Sequence, residues 1–337
     1  MIERIDGKEI CPVNMRYFCT YFDCHYLARG LVLYDSLKRH CSEFKLWTLC
    51  LDEQSYAALA KLGLPEINLL RLQDLERDDA PLRQAKTNRS LLEYYFTCTP
   101  ALPLFVLNQH PDVDLITYVD ADLYFFSDVQ PLFDEIGNNS IAIIAHRFTE
   151  AFRKWEWNGI YNVGWVTFRR DANGLACLEW WRERCIEWCY DRVEDNRFAD
   201  QKYLDDWPTR FQNVVVLQNK GANLAPWNIG NYQVTLRDGA IFVDDQRLIF
   251  FHFHAFKQLS GWIYDTQLAK YKVVPSKVVV RKIFAPYVRE VISRSKQLDP
   301  SCSAPLRSVR KNPSGLLGGF ARLLKRQYLI VINGQII

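Results

Sequence analysis

Two carboxylates separated by a single alanine, Asp120 and Asp122, end an apolar run within residues 115–128 (LITYVDADLYFFSD). Leu115–Val119 shows no polar alternation, which is the pattern of a central strand buried on both faces. Extended chain repeats its side-chain direction every two residues, so both acids can point at one spot. That spot is the carboxyl edge of the sheet, where open α/β folds bind ligands. The chemistry that uses two acids there is a hard divalent cation, Mg²⁺ or Mn²⁺, shared with a phosphate. Asp is also a common turn former, and the spacing alone is frequent. The strand before it and the aromatic run 123–126 after it favour the cation reading.

A second stretch, 248–257 (LIFFHFHAFK), places His252 and His254 two apart in a strand-like run, with Lys257 at its exit. At that spacing both imidazoles can face the same pocket. Imidazole nitrogen readily joins carboxylate oxygen around a divalent metal.

The elements that must carry these groups follow from periodicity. Residues 15–20 read as a first strand and 25–40 as a helix, with Leu27, Leu31, Tyr34 and Leu37 at helical spacing,. Thr20, Tyr21 and Asp23 lie at the turn between them, where doubly wound nucleotide sites begin; Asp23 equally suits a helix cap. Residues 44–49 are a second strand, 52–63 a helix from Asp52 to Gly63, and 67–72 a third strand. Residues 83–99 read as one helix carrying Arg83, Lys86 and Arg89. Ile141–Ala145 is a buried strand, 148–158 a loop, and Tyr161–Arg169 a strand whose Gly164 lets backbone or ligand approach closely. Residues 175–193 form an amphipathic helix. Asp200 and Gln201 precede residues 202–206, whose helix Asp200 could also cap. Val214–Leu217 closes the series. Strands alternating with helices predict an α/β fold with a mostly parallel sheet.

In order of motifs over roughly residues 15 to 260, this chain resembles the GT-A glycosyltransferases that use nucleotide sugars. Within them it resembles the family 8 type, which includes glycogenin and bacterial lipooligosaccharide galactosyltransferases. The resemblance implies Asp122 as main metal ligand, Asp120 sharing the metal or touching the ribose, and His252 as third protein ligand, with His254 the alternative. It also implies Thr20, Tyr21 and Asp23 at the nucleoside and Lys257 at the diphosphate. Asn162 would contact the donor sugar, and Asp200 with Gln201 would face the reacting sugar. A basic residue before the metal motif would be Lys86 or Arg89. The chain departs from the pattern in four places: the family arginine that follows a tyrosine is replaced near Tyr94 to Phe96, Lys257 stands one residue early, Ala255 replaces a glycine, and no Pro-Trp follows the lysine.

With 49% hydrophobic and 14% aromatic residues, the 337-residue chain can bury a large core. Its ten Trp and seventeen Tyr exceed ordinary packing needs and suit sugar stacking,. Ten scattered cysteines form no CxxC pair, and no leader-like segment precedes Cys11, which predicts a reducing cytoplasm,. The net charge of +3 conceals fourteen Lys and Arg against Glu290 and Asp299 in residues 270–330. Cations interleaved with Leu and Phe suit an anionic membrane surface, and no nucleic-acid-binding motif is present. Residues 270–295 read as a basic helical pair broken at Pro286, 301–319 as a linker and 320–327 as a short amphipathic helix.

The expectation is a GT-A-like domain over residues 1–265 and a basic, partly helical extension over 266–337. It would be a metal-dependent hexosyltransferase, with a UDP-sugar donor and a glycan or glycolipid acceptor, in polysaccharide or lipopolysaccharide synthesis at the inner face of the membrane. The alternatives are a sugar nucleotidyltransferase, which ordinarily needs a Gly-rich loop after the first strand, and a silent nucleotide-sugar-binding protein.

Overall fold

The computed structural model describes residues 4–5, 8–9, 15–299, 302, 328–332 and 335–336. The apolar runs become strands because their β-prone residues fill a shared interior; Phe18, Val119 and Ile143 are fully buried,. Seven strands form one sheet in the order Val214–Leu217, Ile141–Ala145, Tyr161–Arg169, Leu115–Val119, Arg16–Phe22, Phe44–Cys50 and Ile67–Arg71. Neighbours run parallel except around Tyr161–Arg169, which is antiparallel to both strands beside it. The sheet is mostly parallel, as the alternation predicts, with one reversed member that it does not.

Successive residues serve opposite faces. Phe18 shares a core with Leu33 and Leu37 of the helix Leu27–His40 and with Leu132 of Gln130–Ile136. Cys19 belongs to the other core, with Leu102 and Val106 of Leu91–Gln109 and with Leu178 and Trp181 of Ala172–Glu187. Helices therefore cover both sides of the sheet. Full burial of a side chain such as Phe18 or Leu102 contributes about 2 kcal/mol relative to leaving it in water.

Local chemistry sets the helix ends. Asp52 caps Glu53–Leu62 by accepting from the Ser55 amide, and Gly63 ends it at φ 56°,. The single helix expected over 83–99 is instead two, Ala80–Ala85 and Leu91–Gln109. Ser90 starts the second by exchanging hydrogen bonds with Glu93, a capping box,. The loop expected at 148–158 contains a 3₁₀ helix, Glu150–Asn158.

Residues 248–257 are not one strand. Phe250–His252 pairs antiparallel with Leu123–Phe125, the chain then turns with Ala255 at φ 55°, and Lys257–Ser260 starts a new strand. His252 and His254 therefore do not alternate along one extended face.

Packing crosses the expected boundary at residue 265. The helix Ala285–Gln297 has Pro286 in its first turn, where proline is tolerated, so Pro286 does not break it,. Arg294 pairs with Asp35, and Glu290 with Arg39, both on Leu27–His40. Tyr328–Ile332 pairs with Ile263–Asp265. Described tail residues such as Tyr287, Val288 and Leu329 share a core with Phe251 and Phe253, so this part of the extension is built into the body. Most of the linker expected at 301–319 and the helix expected at 320–327 lie outside the described residues. No described helix is long and apolar enough to cross a membrane. Nine cysteines are described, all buried and free.

Candidate active site

The strand Leu115–Val119 stops at the rim of the sheet, and the acids follow in a tight turn. The Asp120 amide donates to the Gly164 carbonyl, and the Leu123 amide returns to the Asp120 carbonyl, both at 3.2 Å. Pairing of Leu123–Phe125 with Phe250–His252 then sets His252 opposite Leu123. His252 Nε2 lies 3.0 Å from Asp122 Oδ1 and 3.5 Å from Asp120 Oδ2. One ligand atom from each of the three residues lies within 4.8 Å of the others. His254 sits exposed in the following turn, its ring 5.9 Å from that of His252, and is not part of this cluster.

The three charges condition one another. Burial pushes Asp120 up, against the pull of His252 and with the help of Asp122. Burial also opposes ionisation of Asp122, but His252 and, more weakly, Arg29 hold it below the usual carboxylate range. His252 is buried, yet the two acids raise its affinity for a proton. Such a site favours a positive charge between the carboxylates.

Asn162 reaches the site because its strand is reversed. Val119 pairs with Trp165, so the residues before Trp165 project past the carboxyl end of the motif strand. Asn162 Oδ1 accepts from the Gly164 amide at 3.1 Å and lies 3.2 Å from His252 Nδ1. Asn162 Nδ2 lies 3.3 Å from His146 Nε2 and 3.4 Å from Gln201 Oε1. An amide offers two hydrogens and two lone pairs, and protein groups engage all four. Asn162 thus holds His252, Gly164, His146 and Gln201 in one network. A Cβ on Gly164 would fall 2.6 Å from Asn162 Oδ1 and 2.9 Å from His252 Cε1, so only glycine lets these groups close,.

Asp200 is buried, and desolvation raises it to about 7, opposed by a Thr99 hydrogen bond and aided by Asp120. It caps no helix; the 3₁₀ turn Lys202–Asp206 has no side-chain cap. Gln201 Nε2 donates to the Asn158 carbonyl at 3.0 Å. Along the first strand, the Thr20 hydroxyl is buried and has no hydrogen-bond partner. Tyr21 OH lies 3.1 Å from Thr99 Oγ1, and its ring lies 5.7 Å from that of Tyr118. Tyr118 in turn donates to Asp120 Oδ1 at 2.9 Å. Asp23 accepts from the Tyr26 amide and shapes the turn into the helix.

The two basic candidates before the motif are committed elsewhere. Lys86 pairs with Glu76 at 2.8 Å, and Arg89 donates to Thr97 Oγ1 and the Ile186 carbonyl. None of those partners belongs to the acid–imidazole cluster. Lys257 is half-buried, and desolvation, reinforced by the Lys257 charge, lowers the neighbouring Lys270. Lys270 itself lies 4.8 Å from the centre of the Trp155 ring.

Three residues at the site escaped sequence reasoning. Arg29 is 3% exposed, lies 4.3 Å over the Tyr26 ring and donates to the Phe256 carbonyl. Its one signal is a cation inside an otherwise apolar helix turn. Trp227 packs edge-on against His252 and His254. His146 touches Asn162 and is stacked on Phe148; a lone histidine after a buried strand carries no signal of its own.

No protein-family model matches the sequence. Among solved structures, the chain is similar to galactosyltransferase LgtC in complex with donor and acceptor sugar analogues. That likeness has 16% identity and a TM-score of 0.48, and covers 82% of this chain and 95% of that one. Mouse xyloside xylosyltransferase 1 aligns with 14% identity and a TM-score of 0.46, over 72% and 98% of the two chains. The protein YfnD of Bacillus subtilis (strain 168) is 30% identical over 275 residues, 81% of this chain and 87% of YfnD. YfnF of the same organism is 30% identical over 291 residues, 84% of this chain and 95% of YfnF. At that identity over most of both partners' length, the chain belongs to the family of YfnD and YfnF.

Proposed function

We propose that this protein is a metal-dependent glycosyltransferase that moves a hexose from a nucleoside diphosphate sugar, UDP-linked in our reading, to a hydroxyl of a glycan or glycolipid. The observation that carries this is the convergence of Asp120, Asp122 and His252 at the rim of a doubly wound sheet, where a diphosphate would arrive,. The donor set fits a divalent ion: two oxygens and one imidazole nitrogen, leaving positions for phosphate and water. Mn²⁺ or Mg²⁺ held there supplies charge neutralisation at the departing diphosphate.

The chain's own groups do the rest. Lys257, with Lys270 beside it, offers positive charge to the leaving group,. Asn162 orients His252, and Gly164 makes room for both. Asp200, raised in part by the charge of Asp120, and Gln201, 3.4 Å from Asn162, would orient the sugar toward the acceptor oxygen,. Transfer with retention of configuration is the outcome that the motif resemblance implies. The basic tail would hold the enzyme at the inner, anionic face of a membrane, near a lipid-linked acceptor.

The test is a panel of sugar nucleotides assayed for release of nucleoside diphosphate with and without Mn²⁺. Metal-dependent release from one donor supports the reading. Binding of a sugar nucleotide without turnover in the presence of acceptors would favour a silent binding protein instead. Replacing the six cations of residues 303–327 with glutamine, which spares the packed strand Tyr328–Ile332, should weaken binding to anionic vesicles; unchanged binding would count against the membrane role.

A further inference from the structure

A single backbone hydrogen determines the protonation pattern of three side chains behind the acids. The Gly164 amide can only donate, so the Asn162 atom it meets at 3.1 Å is the carbonyl oxygen,. The same oxygen faces His252 Nδ1 at 3.2 Å, so Nδ1 carries a hydrogen and Nε2 is left toward Asp122 and Asp120. The other Asn162 atom is then the NH₂ group. It faces His146 Nε2 at 3.3 Å, so that nitrogen must accept. His146 Nδ1 therefore bears its hydrogen, and it meets the Ile160 carbonyl, which can only accept, at 3.2 Å. Both ends of the relay terminate on backbone groups, and the two ends agree.

We infer that His146 is a positioning residue that, through Asn162, holds His252 with its Nε2 lone pair turned toward the acids. The inference rests on the proposed metal-dependent reading and concerns how the third ligand is kept competent. His146 bonds to Asn162 and to the Ile160 carbonyl rather than to the acids. Its backbone is clamped: the Trp227 indole and the Asn228 amide both donate to its carbonyl at 2.9 Å. Its ring lies stacked on Phe148, with 4.7 Å between centroids. Burial pulls its pKa down to about 3, so the neutral, accepting form persists across the working range,. Partners that orient a ligating imidazole typically change metal affinity 10- to 100-fold when removed, and a tenfold or larger loss is expected here.

The experiment titrates Mn²⁺, alone and with UDP, into the full chain and into His146→Phe, His146→Gln and His252→Ala. Phe keeps the stacked ring and loses the acceptor; Gln restores an acceptor oxygen. Wild type should bind, His252→Ala should fail, His146→Phe should weaken about tenfold or more, and His146→Gln should recover most of that loss. Mn²⁺ binding to His146→Phe equal to wild type would overturn the inference while leaving the metal reading intact. Failure of wild type to bind would remove the metal reading itself. Long-range proton–nitrogen spectra of isotope-labelled histidines in the wild type need no variant: His146 must be neutral with hydrogen on Nδ1, and hydrogen on its Nε2 would overturn the relay.

Discussion

The ring of Tyr287 lies flat against that of Phe253, with centroids 3.6 Å apart and planes 9° from parallel. Phe253 is the residue between His252 and His254, so the tail helix Ala285–Gln297 directly supports the turn that carries the candidate imidazole.

Truncating that support should cost both stability and activity. The Tyr287 hydroxyl has no hydrogen-bond partner, so Tyr287→Ala removes apolar packing alone, worth about 3 kcal/mol in a core of this kind,. Urea denaturation should show that loss, and metal-dependent release of nucleoside diphosphate should fall with it. An activity equal to wild type under conditions where the variant is folded would separate the helix from the site.

Asp122→Asn keeps the shape of the side chain and removes the charge that faces His252 at 3.0 Å. Loss of one electrostatic contact at a reacting centre costs roughly 100-fold or more, and a comparable fall in turnover is expected. Full Mn²⁺-dependent turnover in this variant would eliminate Asp122 as a ligand.

Asp200 makes stability depend on pH in a defined direction. Its folded pKa of about 7 lies above the ordinary aspartate value of 3.8, so between those values the folded chain holds a proton that the unfolded chain has released. Its contribution is fully present below the lower value and is lost as pH rises through the upper one. Asparagine cannot ionise and escapes that loss. Asp200→Asn should therefore melt above wild type at about pH 8, with the advantage disappearing toward about pH 4. A constant offset across the range would show that Asp200 titrates normally.

Gly164→Ala tests the close approach. The added methyl would press on Asn162 Oδ1 and the His252 ring, both of which must shift. Overpacking of this size costs about 1–3 kcal/mol, while displacement of the imidazole should weaken Mn²⁺ binding about tenfold. Isothermal titration alongside thermal melting separates the two effects.

The sequence displayed the strands well, because continuous apolar runs such as Leu115–Val119 and Ile141–Ala145 bury both faces and admit few alternatives. Strand direction is carried by long-range pairing, and nothing within residues 161–169 marks that strand as reversed. The break before Leu91 was legible in principle, since Ser90 and Glu93 stand at capping-box spacing, but helical periodicity runs through it. The acid pair is local and readable. Its meeting with His252 depends on the pairing of Phe250–His252 with Leu123–Phe125; the sequence offered both histidines, and the preference for His252 over His254 came from the motif resemblance. Arg29, whose one signal is a lone cation in an apolar turn, and His146, which has none, were hard to find for a different reason: each draws its role from neighbours far away in the chain, and neither belongs to a repeated pattern.

The reversed strand has a topological consequence. Because Tyr161 enters the sheet at the same rim where Val119 leaves it, the chain from His146 to Ile160 must cross that rim on its way in. That crossing holds the 3₁₀ helix with Trp155 and the exposed Trp157, and its Asn158 carbonyl is tied to Gln201. Lengthening or reshaping the crossing would alter the doorway while leaving the floor of acids, set by other strands, in place.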